Sequence, residues 1–513
     1  MSRHPPAAGE GGRDREASGY EVVIGLEIHV QLRTATKMFC GCPVEFGAPP
    51  NARVCPVCLG LPGALPVANG AAVELAARAA VALGCRIHTR SEFVRKNYFY
   101  PDLPKGYQIT QFAHPLATGG QVVLRSEGRE RRVGVRRLHL EEDAGKSLHD
   151  RFPESTAVDL NRAGVPLIEI VTEPELRFPA EARAFLVRLK QLLKHYADVS
   201  DCSMEEGSLR VDANLSLRKT GEDRSGTQTE VKNLNSFAFV ERALEHERVR
   251  QLALLEAGLP VRRETRAFDA VRGETRPLRG KEEEFDYRYF PDPDLPYVEV
   301  AGDAVERERR RLGELPHELE KRLAERYRVS PSTAVQLAAT PARAAYFEAA
   351  VSGSDPDLAR TVANFIMGDL AAELNRRSEA GSEAELLPPE PLRRVAELRL
   401  EGVLSSDTAS HALRHLISGG VQRAAEVDAL VRARNLAQVR DVGRLDGWVE
   451  EVLAAHPEEV ARYAAGEAKL LAFFMGQVMR AAGGRADPDR IRELLARRLA
   501  GGAREAREEG REG

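Results

Sequence analysis

EVVIGLEIHVQLRTATKMFCGCPVEFGAPPNARVCPVCLG, residues Glu21 to Gly60, decides how the rest of the chain is read. It opens with a strand-like alternation from Val22 to Leu32, in which Glu27 and His29 stand two residues apart. Successive strand residues point to opposite faces, so this carboxylate and this imidazole share one face. Four cysteines follow at once: Cys40, Cys42, Cys55 and Cys58. The stretch therefore carries the makings of two metal sites of different chemistry.

The cysteines read C-x-C-x12-C-x2-C. Two close pairs separated by a dozen residues suit tetrahedral thiolate coordination of zinc, each knuckle presenting two sulfurs. Gly41, Pro43, Gly47, Pro49, Pro50, Pro56 and Gly60 supply the tight turns such knuckles need. A closed four-thiolate site would be structural; the plainer alternative is four reduced, buried thiols. Cys85 and Cys202 fit no ligand pattern and read as packing residues.

For Glu27 and His29 alone, the plain reading is the wet face of a half-buried strand. Two later stretches shift the balance. LHLEEDAGKS (Leu138–Ser147) brings Glu141, Glu142 and Asp143 to a strand end, and NRAGVPLIEIVTEPE (Asn161–Glu175) sets Glu169 among Leu167, Ile168, Ile170 and Val171. A carboxylate in so apolar a run is costly to bury unpaired, so a divalent cation or a positive partner is expected beside it. Carboxylates with one imidazole and no thiolate suit a hard ion such as Mg²⁺ that bridges substrate phosphates. Gly145-Lys146-Ser147 is not a P-loop, because Leu140 stands where its first glycine belongs.

At 513 residues the chain exceeds one ordinary core, and two to four domains are expected. A composition 43% hydrophobic and 30% charged is that of a soluble protein, and six cysteines in such a length make no disulfide framework. No apolar run is long enough to span a membrane, and residues 1–19 look like a disordered extension rather than a signal or transit peptide. Cytoplasm is the expected compartment. The net charge of −4 argues against binding nucleic acid by bulk charge, though not against a local face.

From Tyr20 to residue 303 the pattern is mixed: strands at Gln121–Leu124, Arg132–Leu140, Val158–Leu160, Leu167–Val171 and Leu209–Leu217. Helices are expected over Ala71–Leu83, Ala180–Tyr196 and Ala238–Ala257, and DYRYFPDPDLP (Asp286–Pro296) reads as a loop. Beyond 303 strand patterns vanish and helix signals recur: Ser330-Pro331, Ser405 or Ser406 up to Gly419-Gly420, Gly466–Ala482 and Pro488–Leu499. Four polar, aromatic-rich stretches in the first part suggest one shared cleft: Arg95–Phe112, Met204–Asn214, Glu230–Phe237 and Asp286–Pro296.

These stretches, in this order, resemble the B subunit of the aspartyl/glutamyl-tRNA amidotransferases (the GatB family). The motifs are YEVVIGLEIHVQL, RKNYFYPDLPKGYQI, LHLEEDAGKS, VDLNRAGVPLIEIV, MEEGSLRVDANLSL, EVKNLNSF and DYRYFPDPDLP. AKLLAFFMGQVMRAAGGRADP (Ala468–Pro488) resembles the family's YqeY-like C-terminal region. The resemblance covers about Tyr20 to Leu499 and implies an α+β fold: a mixed α/β cradle over 20–303 with a zinc knuckle, then all-α domains. These would be a helical linker over 304–425 and a tRNA-binding tail over 426–500, the YqeY-like region spanning roughly 345–500, with a frayed end at 501–513.

The resemblance further implies a heterotrimer. Its other members would be an amidase (the A subunit), which releases ammonia from glutamine, and a small C subunit; misacylated tRNA(Gln) or tRNA(Asn) would be the substrate. ATP and Mg²⁺ would activate the side-chain carboxylate of the charged amino acid, which ammonia from the amidase then amidates. By motif match His29, Glu142 and Glu169 become Mg²⁺ ligands, with Glu27 at the same site or the channel mouth. Lys96, Asn97, Tyr98 and Tyr100 would line the pocket. Arg210, Asp212, Asn214, Lys232 and Asn233 would reach ATP or the acceptor end. Arg480, Arg485, Arg490, Arg492, Arg497 and Arg498 are candidate tRNA phosphate contacts, against the plain reading of a solvated helix face. Some family members lack the four cysteines; this chain has them all, which implies the zinc-bearing group. The chain shows no Gly-Gly-Ser-Ser amidase signature, so its ammonia must come from a partner. The rival readings are a non-catalytic RNA-binding scaffold and a free-standing phosphotransferase.

Overall fold

The computed structural model describes residues 19–126, 129–152, 154–224, 226–278, 286–353, 355–377, 382–439 and 441–499. The expected N-terminal extension, through residue 18, and the expected tail at 501–513 lie outside the described residues. The chain folds as two compact units, 1–317 and 318–513. The division falls later than residue 303 because helix Gly302–Leu312 belongs to the first unit, where its Glu308 pairs with the buried Arg78.

The first unit is α+β. Its strands are β1 (Tyr20–Gln31), β2 (Arg86–Ile87), β3 (Arg90–Ser91), β4 (Val94–Asn97), β5 (Tyr107–Thr110), β6 (Ala117–Ser126), β7 (Arg129–Glu142) and β8 (Lys146–Phe152). They continue as β9 (Ser155–Asp159), β10 (Pro166–Thr172), β11 (Leu209–Lys219), β12 (Thr229–Lys232), β13 (Glu264–Asp269), β14 (Glu274–Pro277), β15 (Phe290–Pro291) and β16 (Val298–Glu299). Nine of them form one sheet in the order β14-β13-β12-β11-β1-β10-β7-β6-β2. The first strand of the chain thus lies at the middle of the sheet.

The pleat sorts the sequence into two faces. Ile24, Leu26, Ile28 and Val30 of β1, Ile168 and Ile170 of β10, Leu138 and Leu140 of β7, and Val211 and Ala213 of β11 are buried in one apolar core. Helices α1 (Gly70–Ala82), α2 (Pro179–Gln191) and α3 (Phe237–Glu256) contribute Ala76, Ala80, Phe185, Leu189, Val240 and Leu244 to that core. Helix α2 runs on into a π-helical turn, Leu192–Tyr196, within the helix expected to reach Tyr196. The other face of these strands carries the polar residues.

The segment Asp286–Pro296 is less free than a plain loop. Its β15 pairs with β4, and Arg95 holds the buried Asp292 at 2.7 Å and Asp294 at 3.0 Å.

The second unit is helical from Glu318 onward. Ser330 caps a helix with Pro331 in its first turn, and Ser405 caps another through a reciprocal box with Thr408. That helix closes on Gly420 in the left-handed region, φ 62°. The helix expected from Gly466 starts only at Leu470, because Gly466 has φ +113° and cannot continue a helix. Leu445, Val449, Phe474, Val478, Ile491 and Leu495 form a core over the last helices, including 488–499.

Candidate active site and metal centre

Antiparallel register builds the first site. His29 lies opposite Arg210 on β11 and Glu169 on β10, and Glu169 lies opposite His139 on β7. One row thus crosses four strands: Arg210, His29, Glu169, His139. In the row on one side Asp212 faces Glu27; in the row on the other side Glu141 stands two residues along from His139 on the same face. His29 Nε2 lies 3.4 Å from Glu141 Oε1 and 3.4 Å from Glu169 Oε2; His139 Nε2 lies 3.4 Å from Glu169. Glu27, His29 and Glu169 are grouped closely enough to hold a cation, and so are His139, Glu141 and Glu169.

Glu141, Glu169 and His139 are buried, so their charges are answered locally. Burial opposes charging of His29, but the hydrogen bond and charge of Glu169, with the charge of Glu141, push it up to about 9. His139 rises to about 9 against burial for the same reason. Burial would raise Glu169, yet the two imidazoles hold it far below the usual carboxylate range. Glu27 is raised by burial and by its neighbour Glu169. Without an ion, two imidazolium groups balance the carboxylates; a dication would do so while displacing their protons.

Glu142, expected beside His29 and Glu169, is not brought to them. It has the parity of Leu138 and Leu140, so its side chain leaves the opposite face of β7. There it pairs with Lys105 and accepts the Ile109 N–H at 3.0 Å. Glu141 and His139 take the position instead. Their signal in the sequence is the alternation His139-Leu140-Glu141, which places both on the Glu169 face once the register is known.

The rim of the cluster is cationic. Arg210 is fixed by the buried Asp143 at 2.8 Å, and Asp143 also accepts from Gln31 at 3.0 Å. Arg137 reaches Glu169 at 3.6 Å. Lys96 stands 4.9 Å from the Tyr287 ring centre and 5.9 Å from that of Tyr98. Tyr98 meets Tyr287 edge-on, and Tyr100 is exposed. Lys232 binds Asp212 at 3.1 Å and Glu230 at 3.0 Å. Asn97 and Asn233 are occupied with backbone: Asn97 donates to the Arg288 carbonyl at 2.8 Å, Asn233 to that of Phe268 at 3.0 Å. Asn214 sits on β11 opposite Gly25.

The second site is local. The sulfurs of Cys40, Cys42, Cys55 and Cys58 lie within 4.8 Å of one another. Around a tetrahedral zinc with bonds of about 2.3 Å, sulfurs stand roughly 3.8 Å apart; Cys55 and Cys58 are 3.9 Å apart. The Cys55 N–H points at Cys58 Sγ at 3.2 Å, and the Leu59 and Gly60 N–H groups close the turn on the Cys55 and Val57 carbonyls. These residues could hold a metal ion, and four sulfurs suit zinc.

The tail arginines differ among themselves. Arg498 is bound by Asp446 and Glu450, and Arg485 donates to the Ala482 carbonyl at 3.1 Å. Arg480 reaches Gln477 at 3.4 Å and Arg492 stands 3.9 Å from Asp489. Arg490 and Arg497 are exposed.

Fold and site together define a domain on a mixed, mostly antiparallel sheet with a carboxylate–imidazole centre fit for a cation, followed by a helical unit. Family models agree with that outline: one described as GatB/GatE catalytic domain matches residues 22–306, and one described as GatB domain matches 345–499. The chain is 48% identical over 487 residues to the B subunit of aspartyl/glutamyl-tRNA(Asn/Gln) amidotransferase from Anaeromyxobacter dehalogenans, covering 94% of this chain and 99% of that one. It is 48% identical to the protein of that name from Moorella thermoacetica, covering 94% and 100%. The chain belongs to the GatB family.

Proposed function

We propose that this chain is the subunit of a tRNA-dependent amidotransferase that prepares the side-chain carboxylate of glutamyl-tRNA(Gln), aspartyl-tRNA(Asn) or both for amidation. A carboxylate resists ammonia because its charge repels nucleophiles and oxide leaves poorly. Phosphorylation by ATP supplies the leaving group, and Mg²⁺ supplies neutralisation of phosphate charge. The observation that carries the reading is the row Arg210–His29–Glu169–His139 with Glu27 and Glu141 beside it. Buried carboxylates at its centre suit a hard dication; the cations at its rim suit phosphate and the substrate carboxylate.

In this reading His29, Glu141 and Glu169 hold the cation, and Glu27 takes part from the neighbouring row. Arg210, steadied by Asp143, and Lys96 orient the anionic groups. Tyr98, Tyr100, Asp212, Asn214 and Lys232 line the remaining cleft. Asn97 and Asn233 hold the loops around it. The four cysteines bind zinc as a structural centre. An amidase and a third, small subunit make up the rest of the enzyme, and the last helices meet tRNA through Arg490, Arg492 and Arg497. The cytoplasm is where translation would use such an enzyme, and no described helix is long and apolar enough to cross a membrane. A non-catalytic scaffold would have no use for so many paired buried charges on one sheet face.

The test is conversion of glutamyl-tRNA(Gln) to glutaminyl-tRNA(Gln) by this chain co-expressed with its amidase and small partner, given ATP, Mg²⁺ and ammonium chloride. Conversion that requires both ATP and this chain is expected. ATP consumption without charged tRNA would favour the free-standing phosphotransferase and sink the proposal.

A further inference from the structure

Lys37 is 1% exposed, among the most deeply buried side chains of the molecule. Its Nζ points at Cys58 Sγ, 3.5 Å away, and donates to the Leu160 carbonyl at 3.3 Å. Among the described residues no carboxylate forms an ion pair with it. An ammonium buried without a counter-charge is strongly unfavourable, and the group that faces Lys37 Nζ is the Cys58 sulfur, which supplies that charge as a thiolate. A metal held by four thiolates keeps it there. Zinc with four thiolates carries a net charge of −2, itself costly to bury, and an ammonium against one sulfur offsets part of it.

We propose that Lys37 is the charge-balancing partner of the metal–thiolate centre and couples its occupancy to the turn that leads into β10. This rests on the reading of the four cysteines as a metal site. The coupling has a visible path. Lys37 N–H donates to the Cys42 carbonyl at 2.9 Å, so the residue is part of the first knuckle. Its ammonium holds the Leu160 carbonyl, and the next residue, Met38, donates its N–H to Gly164 at 2.7 Å. Gly164, with φ +86°, approaches so closely that a Cβ there would touch Lys37 Cδ at 3.5 Å, Cys58 Cβ at 3.6 Å and Glu142 Oε2 at 3.8 Å. Lysine stem, knuckle and the 160–164 turn therefore form one packed unit ahead of the strand that bears Glu169.

The decisive experiment measures zinc content, and zinc release to a chromophoric chelator, for the full chain and for Lys37→Met, which keeps most of the stem volume and removes the charge. A release rate or affinity changed by roughly 10–100-fold is expected, the usual effect of removing a group that supports metal ligands. Chelation should lower the melting midpoint of the parent more than that of Lys37→Met, because the parent binds the metal more tightly. If the parent holds zinc and Lys37→Met releases it at the same rate, the role of Lys37 is overturned. If the parent holds no stoichiometric metal, the zinc reading fails first and the two failures are told apart. Should Lys37→Met not fold, amine labelling of the parent decides: Lys37 should be unreactive with zinc bound and become reactive after chelation. A Lys37 that stays unreactive in both states would overturn the proposal.

Discussion

The two metal-competent sites of the first unit are built in opposite ways. The cysteine knuckles draw their four ligands from nineteen consecutive residues, Cys40 to Cys58, and tight turns alone bring the sulfurs together. The sheet cluster draws His29, His139, Glu141 and Glu169 from three strands far apart in sequence, and only the register of β1, β10 and β7 makes them neighbours. The first is closed by four soft ligands. The second combines hard oxygen ligands with imidazoles and keeps a cationic rim. A closed thiolate site stabilises; an oxygen-rich site suits a hard ion that exchanges partners.

The sharpest way to break this comparison is to remove one carboxylate from the cluster. Glu169→Gln should reduce ATP-dependent glutaminyl-tRNA formation at least ~100-fold, as loss of a central electrostatic group does in other enzymes. The ion-free chain should also lose stability, because a neutral amide no longer answers the charges of His29 and His139. Cys55→Ser should leave the cluster intact: zinc content falls to background and the melting midpoint drops by roughly 5 °C or more, as expected for a loss of about 3 kcal/mol. Amidation per folded molecule should fall far less than in Glu169→Gln.

Proton linkage gives a smaller effect. His29 and His139 titrate near 9 in the ion-free protein. Both are raised above the unfolded value of about 6.5, so their stabilisation of the ion-free protein is full below about 6.5 and is lost as pH rises through about 9. A ligating His29 must give up its proton, so cation affinity should rise with pH, by up to tenfold per unit for one proton displaced, and level off above about 9. A calorimetric titration across roughly pH 6.5 to 9.5 measures it. A flat profile would remove His29 from the ligand set.

The two sites also differ in how far they can be read from sequence. The knuckle is legible because its geometry is local: spacing and turn residues state it in full. The strands Leu167–Val171 and Leu209–Leu217, and helix Ala71–Leu83, are legible because their apolar periodicity answers to one face. The cluster is legible only in part. Motif resemblance reaches His29, Glu169 and Glu27, but between the adjacent Glu141 and Glu142 the composition is silent. Strand parity separates them: one residue of offset turns a carboxylate from the shared cluster to the Lys105 side. His139 escapes because a histidine in an apolar strand gives no sign of facing another strand's glutamate. Lys37 escapes because nothing in a sequence marks a lysine as buried.

The site stands or falls on a divalent cation seated against Glu169, on the face shared by His29 and Glu141. Titration of the chain with Mn²⁺, followed by electron paramagnetic resonance as a stand-in for Mg²⁺, tests it most directly. Tight binding by the parent, weakened at least ~10-fold in Glu169→Gln and retained in Glu142→Gln, is the predicted result. Binding unchanged in Glu169→Gln, or lost in Glu142→Gln, would contradict it.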